Sequence, residues 1–151
     1  MFAGPPLEGV NPAGGLGDLV PGTVGPRIQA SDRRGDYFRI RDYRRDHPAF
    51  ALFDDPAWEP LLTEVPVAAL LPIEPSVDSM VLAHLDDPAR SPLIVETRRG
   101  AGRIWWCGTT ANGEWNSLAS SPPTLVPLVM DTLRYLATPP PAVRDLVLGS
   151  P

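Results

Sequence analysis

The chain has 151 residues, a hydrophobic share of 43% and a formal net charge of -5, which fits a single soluble domain with its own core. The acidic balance, with arginine as the only basic residue type, excludes the clustered basic surface a nucleic acid requires. One cysteine, Cys107, excludes an internal disulfide, and no apolar run approaches the roughly 18 residues of a membrane span.

Residues 1–29 hold only short apolar pairs such as Leu19-Val20, broken by Gly and Pro, with neither helical nor strand period. The opening MFAGPPLEGVNPAGG lacks a basic start and an apolar stretch, so it does not read as a signal peptide. Residues 36–43, DYFRIRDY, alternate as a short edge strand with Tyr37, Arg39 and Arg41 on one face and Phe38 and Ile40 on the other. His47 stands before Pro48 and is biased away from helix. Asp54 or Asp55 suits the cap of a short turn that carries Trp58 and leads to Leu61 and Leu62. VPVAALLPI reads as a strand confined to an edge, or shortened, by Pro66 and Pro72.

The second half is clearer. SMVLAHL (79–85), LIVET (93–97) and RIWWCG (103–108) are strands joined by short connections, so neighbours should pair antiparallel. Bulky groups on both faces of the third strand, Ile104 and Trp106 against Trp105 and Cys107, predict cover on both sides and an interior position. An amphipathic helix is expected over 122–136, with Ser121 as N-cap and Leu125, Leu128, Val129, Leu133 and Leu136 on its inner face. The run PPP at 139–141 should end it, and AVRDLVLG reads as a new strand. The chain thus divides into a Pro/Gly-rich irregular lead-in (1–35), an α/β portion (36–138) and a linker or start of a following domain (139–151).

Several residues invite chemistry. Gly100 and Gly102 offer a phosphate loop, but they lie between two strands and open no helix, so a hairpin turn is the better reading. Cys107 as nucleophile needs a nearby cation, and His47 and His84 stand in no partner motif; an inert core thiol is expected. His84 lacks a second ligand at metal spacing, and Asp86-Asp87 and Asp54-Asp55, each before a proline, read as turn and cap residues. Trp106 is assigned to the core and Trp115 to a lid over the start of the helix, in preference to a carbohydrate platform. Thr109, Thr110, Asn112 and Glu114 form the best polar cluster, at the end of a strand where α/β proteins place ligands. With His84 they are the ligand-pocket candidates; no catalytic set, metal or cofactor is expected.

HPAFALFDDPAW, followed by residues 81–137, resembles the class I glutamine amidotransferase-like module of large bacterial membrane proteins. Those proteins carry a BatA (aerotolerance regulator) region and often a von Willebrand factor A domain. The matching residues are Pro92, Leu93, Val95 and Glu96; Gly100, Gly102, Arg103 and Ile104; Thr109, Thr110, Glu114 and Trp115; then Pro123, Val126, Pro127, Leu128, Tyr135 and Leu136. GDLVPGTVG is similar to the segment preceding this half of the module. Asn112 stands where that family often has aspartate. Trehalose-utilisation-like proteins share the glycine hairpin.

The resemblance implies a partial flavodoxin-like sheet with an antiparallel meander and one C-terminal helix. It also implies a C-terminal portion of the module, begun at an internal methionine. A working amidotransferase has a cysteine on a nucleophile elbow and a His-x-Glu; no His-x-Glu occurs in this sequence. The expected role is therefore a non-catalytic structural or interaction domain, partnered by proteins or other domains of a membrane-anchored, cell-envelope parent, with no nucleic acid and no span of its own. The alternatives are a trehalose-utilisation-like or amidotransferase-like enzyme using His84, Asn112 and Glu114 on a sugar or small amide, and an incomplete gene product with an exposed sheet edge.

Overall fold

The computed structural model describes residues 19–30 and 36–138; the strand expected at AVRDLVLG and the proline stop lie outside them. The element order is β1 (Gly22–Val24), β2 (Ile28–Gln29), β3 (Ile40–Tyr43), a 3-10 helix (Pro48–Asp54), α1 (Glu59–Thr63), β4 (Ala69–Leu70), β5 (Ile73–Pro75), β6 (Ser79–Leu85), β7 (Pro92–Arg99), β8 (Gly102–Cys107), a 3-10 turn (Leu118–Ser120) and α2 (Pro122–Ala137). The fold is α/β, and every strand pair among the described residues is antiparallel.

The main sheet has the order β3-β6-β7-β8. Its central strands are β6 and β7, and the β7–β8 hairpin closes through Gly100 in the left-handed region (φ 58), the conformation only glycine adopts without cost. The register runs from Arg99 opposite Gly102 to Ile94 opposite Cys107. β3 is an edge strand, as expected, but it covers only Ile40–Tyr43 of the expected 36–43, and Phe38 makes an isolated bridge to Val67 instead. β8 is the opposite edge and not an interior strand. Both of its faces are nonetheless covered, since Trp105, Trp106 and Cys107 are all buried. Side-chain bulk reports cover above and below a strand; it says nothing about neighbours in the sheet plane.

Two ribbons depart from the expected irregular lead-in. β1 pairs with β5, and β2 with β4. Strands of three and two residues are too short to show a period, so only their partners reveal them. Those partners arise from VPVAALLPI, which is not one strand. It gives an isolated bridge at Val67, then β4, then β5, with Pro72 in the gap, because proline cannot donate to a ladder.

The sheet separates two apolar clusters. On one face α2, α1 and the long 3-10 helix bury Phe50, Phe53, Leu62, Leu82, Leu85, Ile94, Trp105 and Leu128. On the other, Val95 and Trp106 pack against Val20, Ala69, Leu71, Ile73 and Trp115 from the ribbons and loops. Each such buried side chain contributes about 1.5–3 kcal/mol. Trp115 therefore covers the ribbon face of the sheet and is not a lid over the helix start. Within α2, Leu128 is buried and Leu125, Val129 and Leu136 are half-buried, but Leu133 is 56% exposed, against expectation. Ser121 precedes the helix as its N-cap, yet its hydroxyl pairs with the Thr124 hydroxyl at 2.8 Å and bonds no backbone amide.

Candidate functional site

The loop after β8 is held by buried hydrogen bonds. Thr109 and Thr110 are buried; the Thr109 hydroxyl donates to the Ala69 carbonyl at 3.1 Å, and that of Thr110 to the Asn112 carbonyl at 3.1 Å. Asn116 donates to Thr109 Oγ1 at 2.9 Å and to the Thr110 carbonyl at 2.7 Å, while its Oδ1 accepts the Leu118 amide at 2.8 Å. Asn112 Oδ1 accepts the Glu114 amide at 3.2 Å. Of the candidate residues here, only Glu114 lines a shallow surface depression, together with Tyr37, Pro66 and Asn116. The Thr109, Thr110 and Asn116 side chains are thus spent on holding the loop's shape, while the Glu114 side chain is exposed. Asn116, which organises it, was not singled out in the sequence because one asparagine in a polar loop carries no pattern.

His84 is not brought to this loop. It lies on β6, where Nδ1 pairs with Asp42 Oδ1 of β3 at 2.9 Å, and Asp42 also pairs with Arg90. Burial would raise the Asp42 carboxyl, but hydrogen bonds from Arg90 and His84 and their charges outweigh it and hold it below its ordinary value. Of the acid pairs, Asp55 and Asp87 hold local turns as expected, whereas Asp86 bonds a segment distant in sequence, just before β3. Asp55 Oδ1 accepts the Ala57 amide at 2.8 Å. Asp87 accepts both the amide and the hydroxyl of Ser91, at 2.6 and 2.8 Å, and Asp86 accepts the Arg39 amide at 2.8 Å. Cys107 is buried, and burial pushes its thiol up to about 11.

The most concentrated polar chemistry is elsewhere, on the helix-side face of the sheet. Glu96 on β7 is buried, and both its carboxylate oxygens are engaged. Oε2 accepts Trp105 Nε1–H at 2.7 Å, and Oε1 accepts the Tyr135 hydroxyl of α2 at 2.9 Å. His47 Nε2 stands 3.4 Å from Oε2, long for a hydrogen bond, with no closer polar partner among the described residues. His47 caps the 3-10 helix: its Nδ1 accepts the Ala49 amide at 3.3 Å, so the neutral ring carries its proton on Nε2, facing the carboxylate. Burial would raise Glu96, but the nearby His47 imidazole and the hydrogen bonds from Trp105 and Tyr135 outweigh it, and its carboxyl lies below the ordinary value. Burial, and then the bond to the Glu96 carboxylate, raise the Tyr135 phenol.

Aromatic rings close over this pair. The His47 ring lies 4.3 Å from that of Tyr135 and 5.3 Å from that of Trp105, centroid to centroid. Arg103, from the hairpin, sits 4.3 Å over the Tyr135 ring and donates to the Tyr135 and Thr138 carbonyls, each at 2.9 Å. That places a cation at the C-terminus of α2, where the helix dipole favours one. Chemically this is an acid–base pair sealed under aromatic rings, with its lone pairs spent on core donors. It ties three elements, the 3-10 helix, the sheet and α2, through one carboxylate.

Part of this was readable. A two-residue turn at Gly100-Ala101 puts Glu96 opposite Trp105, and a carboxylate facing an indole is a hydrogen-bonded pair in waiting. His47 and Tyr135 gave no signal, since their approach to Glu96 depends on packing across the fold.

No protein-family model and no curated protein matches the sequence. Two solved structures resemble the fold. "Cytoplasmic Protein STM3548 from Salmonella typhimurium" aligns over 80% of this chain and 45% of its own, with TM-score 0.60 and 16% identity. "Cytoplasmic Protein STM1381 from Salmonella typhimurium LT2" aligns over 81% and 45%, with TM-score 0.56 and 15% identity. The likeness is one of fold alone. The chain spans less than half the length of either structure, 45% in each case. Among the described residues no helix is long and apolar enough to cross a membrane.

Proposed function

We propose that the chain is a non-catalytic α/β portion of a class I glutamine amidotransferase-like module of the BatA and von Willebrand factor A type. In this reading the antiparallel meander extends a flavodoxin-like sheet, and the module serves structure and interaction within a larger membrane-anchored parent. Other domains of that parent, or proteins bound to it, are its partners.

The observation that carries the proposal is the state of Cys107. Its thiol is buried and pushed up to about 11, where the nucleophilic thiolate is scarce at neutral pH. Both histidines stand against carboxylates, His47 Nε2 3.4 Å from Glu96 and His84 Nδ1 2.9 Å from Asp42. Amide hydrolysis through a thioester needs the opposite: an exposed thiolate beside a base. The larger size of the matched structures supports a role as one part of a bigger unit. A glutaminase assay on the chain and its Cys107→Ala variant tests the reading. Equal, background-level ammonia release from both is expected. Turnover that disappears in the variant overturns it.

A further inference from the structure

A cavity of about 170 Å³ lies between α2 and the sheet face that it covers. The sheet contributes Ile94, Trp105 and Cys107 to its wall, and the helix Leu128, Val129 and Leu136. The Trp105 N–H is already bonded to Glu96, which leaves the Cys107 thiol and the Thr132 hydroxyl as the polar side-chain groups on the lining. A water held in a cavity needs two to four polar partners, and an apolar space of roughly 150 Å³ stays dry yet takes up benzene. Close-packed cores hold few voids larger than a water molecule, so a largely apolar space of this size is unusual for a packed core.

The cavity also has an entrance. Leu133, 56% exposed, lies on its rim, and the half-buried Val129 and Thr132 share that rim. A molecule can therefore enter beside α2 without the helix leaving the sheet. No charged side chain lines the space, so an ion would lose its hydration with nothing in return.

We propose that this cavity binds a neutral, apolar small molecule the size of one aromatic ring or a short branched alkyl group. The site is independent of the role proposed for the module. Bound ligand touches Trp105, whose indole is also a donor to Glu96, so occupancy should shift the Nε1–H resonance of that one of the four tryptophans.

The test is a benzene titration of the 151-residue chain, followed by methyl and indole N–H chemical shifts. Saturable shifts at Leu128, Val129 and Leu136 are expected, with half-saturation on the order of millimolar, while Val126 and Met130 on the outer side of α2 stay still. Val129→Phe and Thr132→Leu, both at half-buried positions, should each fill the space and weaken benzene binding by about tenfold or more. The proposal is overturned by a lack of saturation, by shifts confined to the outer side of α2, or by filled variants that bind as well as the parent. It is equally overturned if sedimentation shows association and benzene binding falls as the associated form grows.

Discussion

Trp105 and Glu96 face each other across the β7–β8 hairpin and join their side chains at 2.7 Å. A backbone register and a buried hydrogen bond thus specify the same pairing. Replacing Glu96 by alanine removes the acceptor of the buried Trp105 N–H and of the half-buried Tyr135 hydroxyl. Hydrogen bonds to a charged group contribute about 1.5–3 kcal/mol, and an orphaned buried donor adds its desolvation cost. Glu96→Ala should lower the unfolding free energy by about 3 kcal/mol in urea titration, and Glu96→Gln by about half as much. A loss below about 0.5 kcal/mol for the alanine variant would show that the carboxylate is not the tie between sheet and helix.

The same carboxylate gives a pH dependence of fixed sign. Its folded value lies below the ordinary 4.5, so the folded state holds the proton more weakly than the unfolded chain. Stability from Glu96 is complete above the unfolded value and is lost as pH falls through the folded one. Unfolding free energy should decline below about pH 5, and the slope should be shallower in Glu96→Gln. Asp42, lowered by Arg90 and His84 against a burial cost, contributes a smaller part of the same sign, screened because it is partly exposed. Equal slopes in the parent and Glu96→Gln would assign the acid loss to other groups.

Cys107 should resist modification while the chain is folded. With its thiol buried and raised to about 11, iodoacetamide at pH 8 should label the native protein at least about a hundredfold more slowly than the protein in urea. Mass spectrometry over a time course reads this directly. Rapid native labelling would contradict both the burial and the inert role.

Arg103 ends α2 by donating to the Tyr135 and Thr138 carbonyls. Arg103→Ala removes those bonds and the cation over the Tyr135 ring, at a cost of about 1–2 kcal/mol. Amide exchange should speed up over the last turn of α2 and stay unchanged at its start. Arg103→Lys should recover part of the charge effect without the paired geometry.

Two glycines should respond to alanine for different reasons. At Gly100 nothing lies within 4 Å of an added Cβ, so the cost is that of the positive φ, about 1–2 kcal/mol. At Gly108 an added Cβ would stand 2.8 Å from the Leu71 carbonyl oxygen, and the backbone must move. Gly108→Ala should cost about 2–3 kcal/mol, ranking above Gly100→Ala in thermal denaturation. The reverse order would mean that the chain before β5 does not press against β8.

Gly108 also shows where sequence reasoning stops. Gly100 stands between two alternating runs, and a turn there follows from local chemistry. Nothing near Gly108 announces Leu71, because that contact joins segments almost forty positions apart in the chain. The ligand-pocket candidates divide in the same way. Thr109, Thr110, Asn112 and Glu114 were legible as a polar cluster after a strand, but whether they faced a ligand or each other depended on Asn116 folding back onto them.

By itself the sequence determined the three strands of the meander, their antiparallel pairing, the glycine turn and the C-terminal helix. Each is set by side-chain period and turn residues within a window of about ten to fifteen positions. The tertiary structure alone decided that β8 is an edge, that residues 22–24 and 28–29 are strands, that Trp115 covers the ribbon side of the sheet, and that His47 and Tyr135 converge on Glu96. Those outcomes depend on which distant surface each segment meets, and a side chain carries no local mark of a partner it reaches only after the chain has folded.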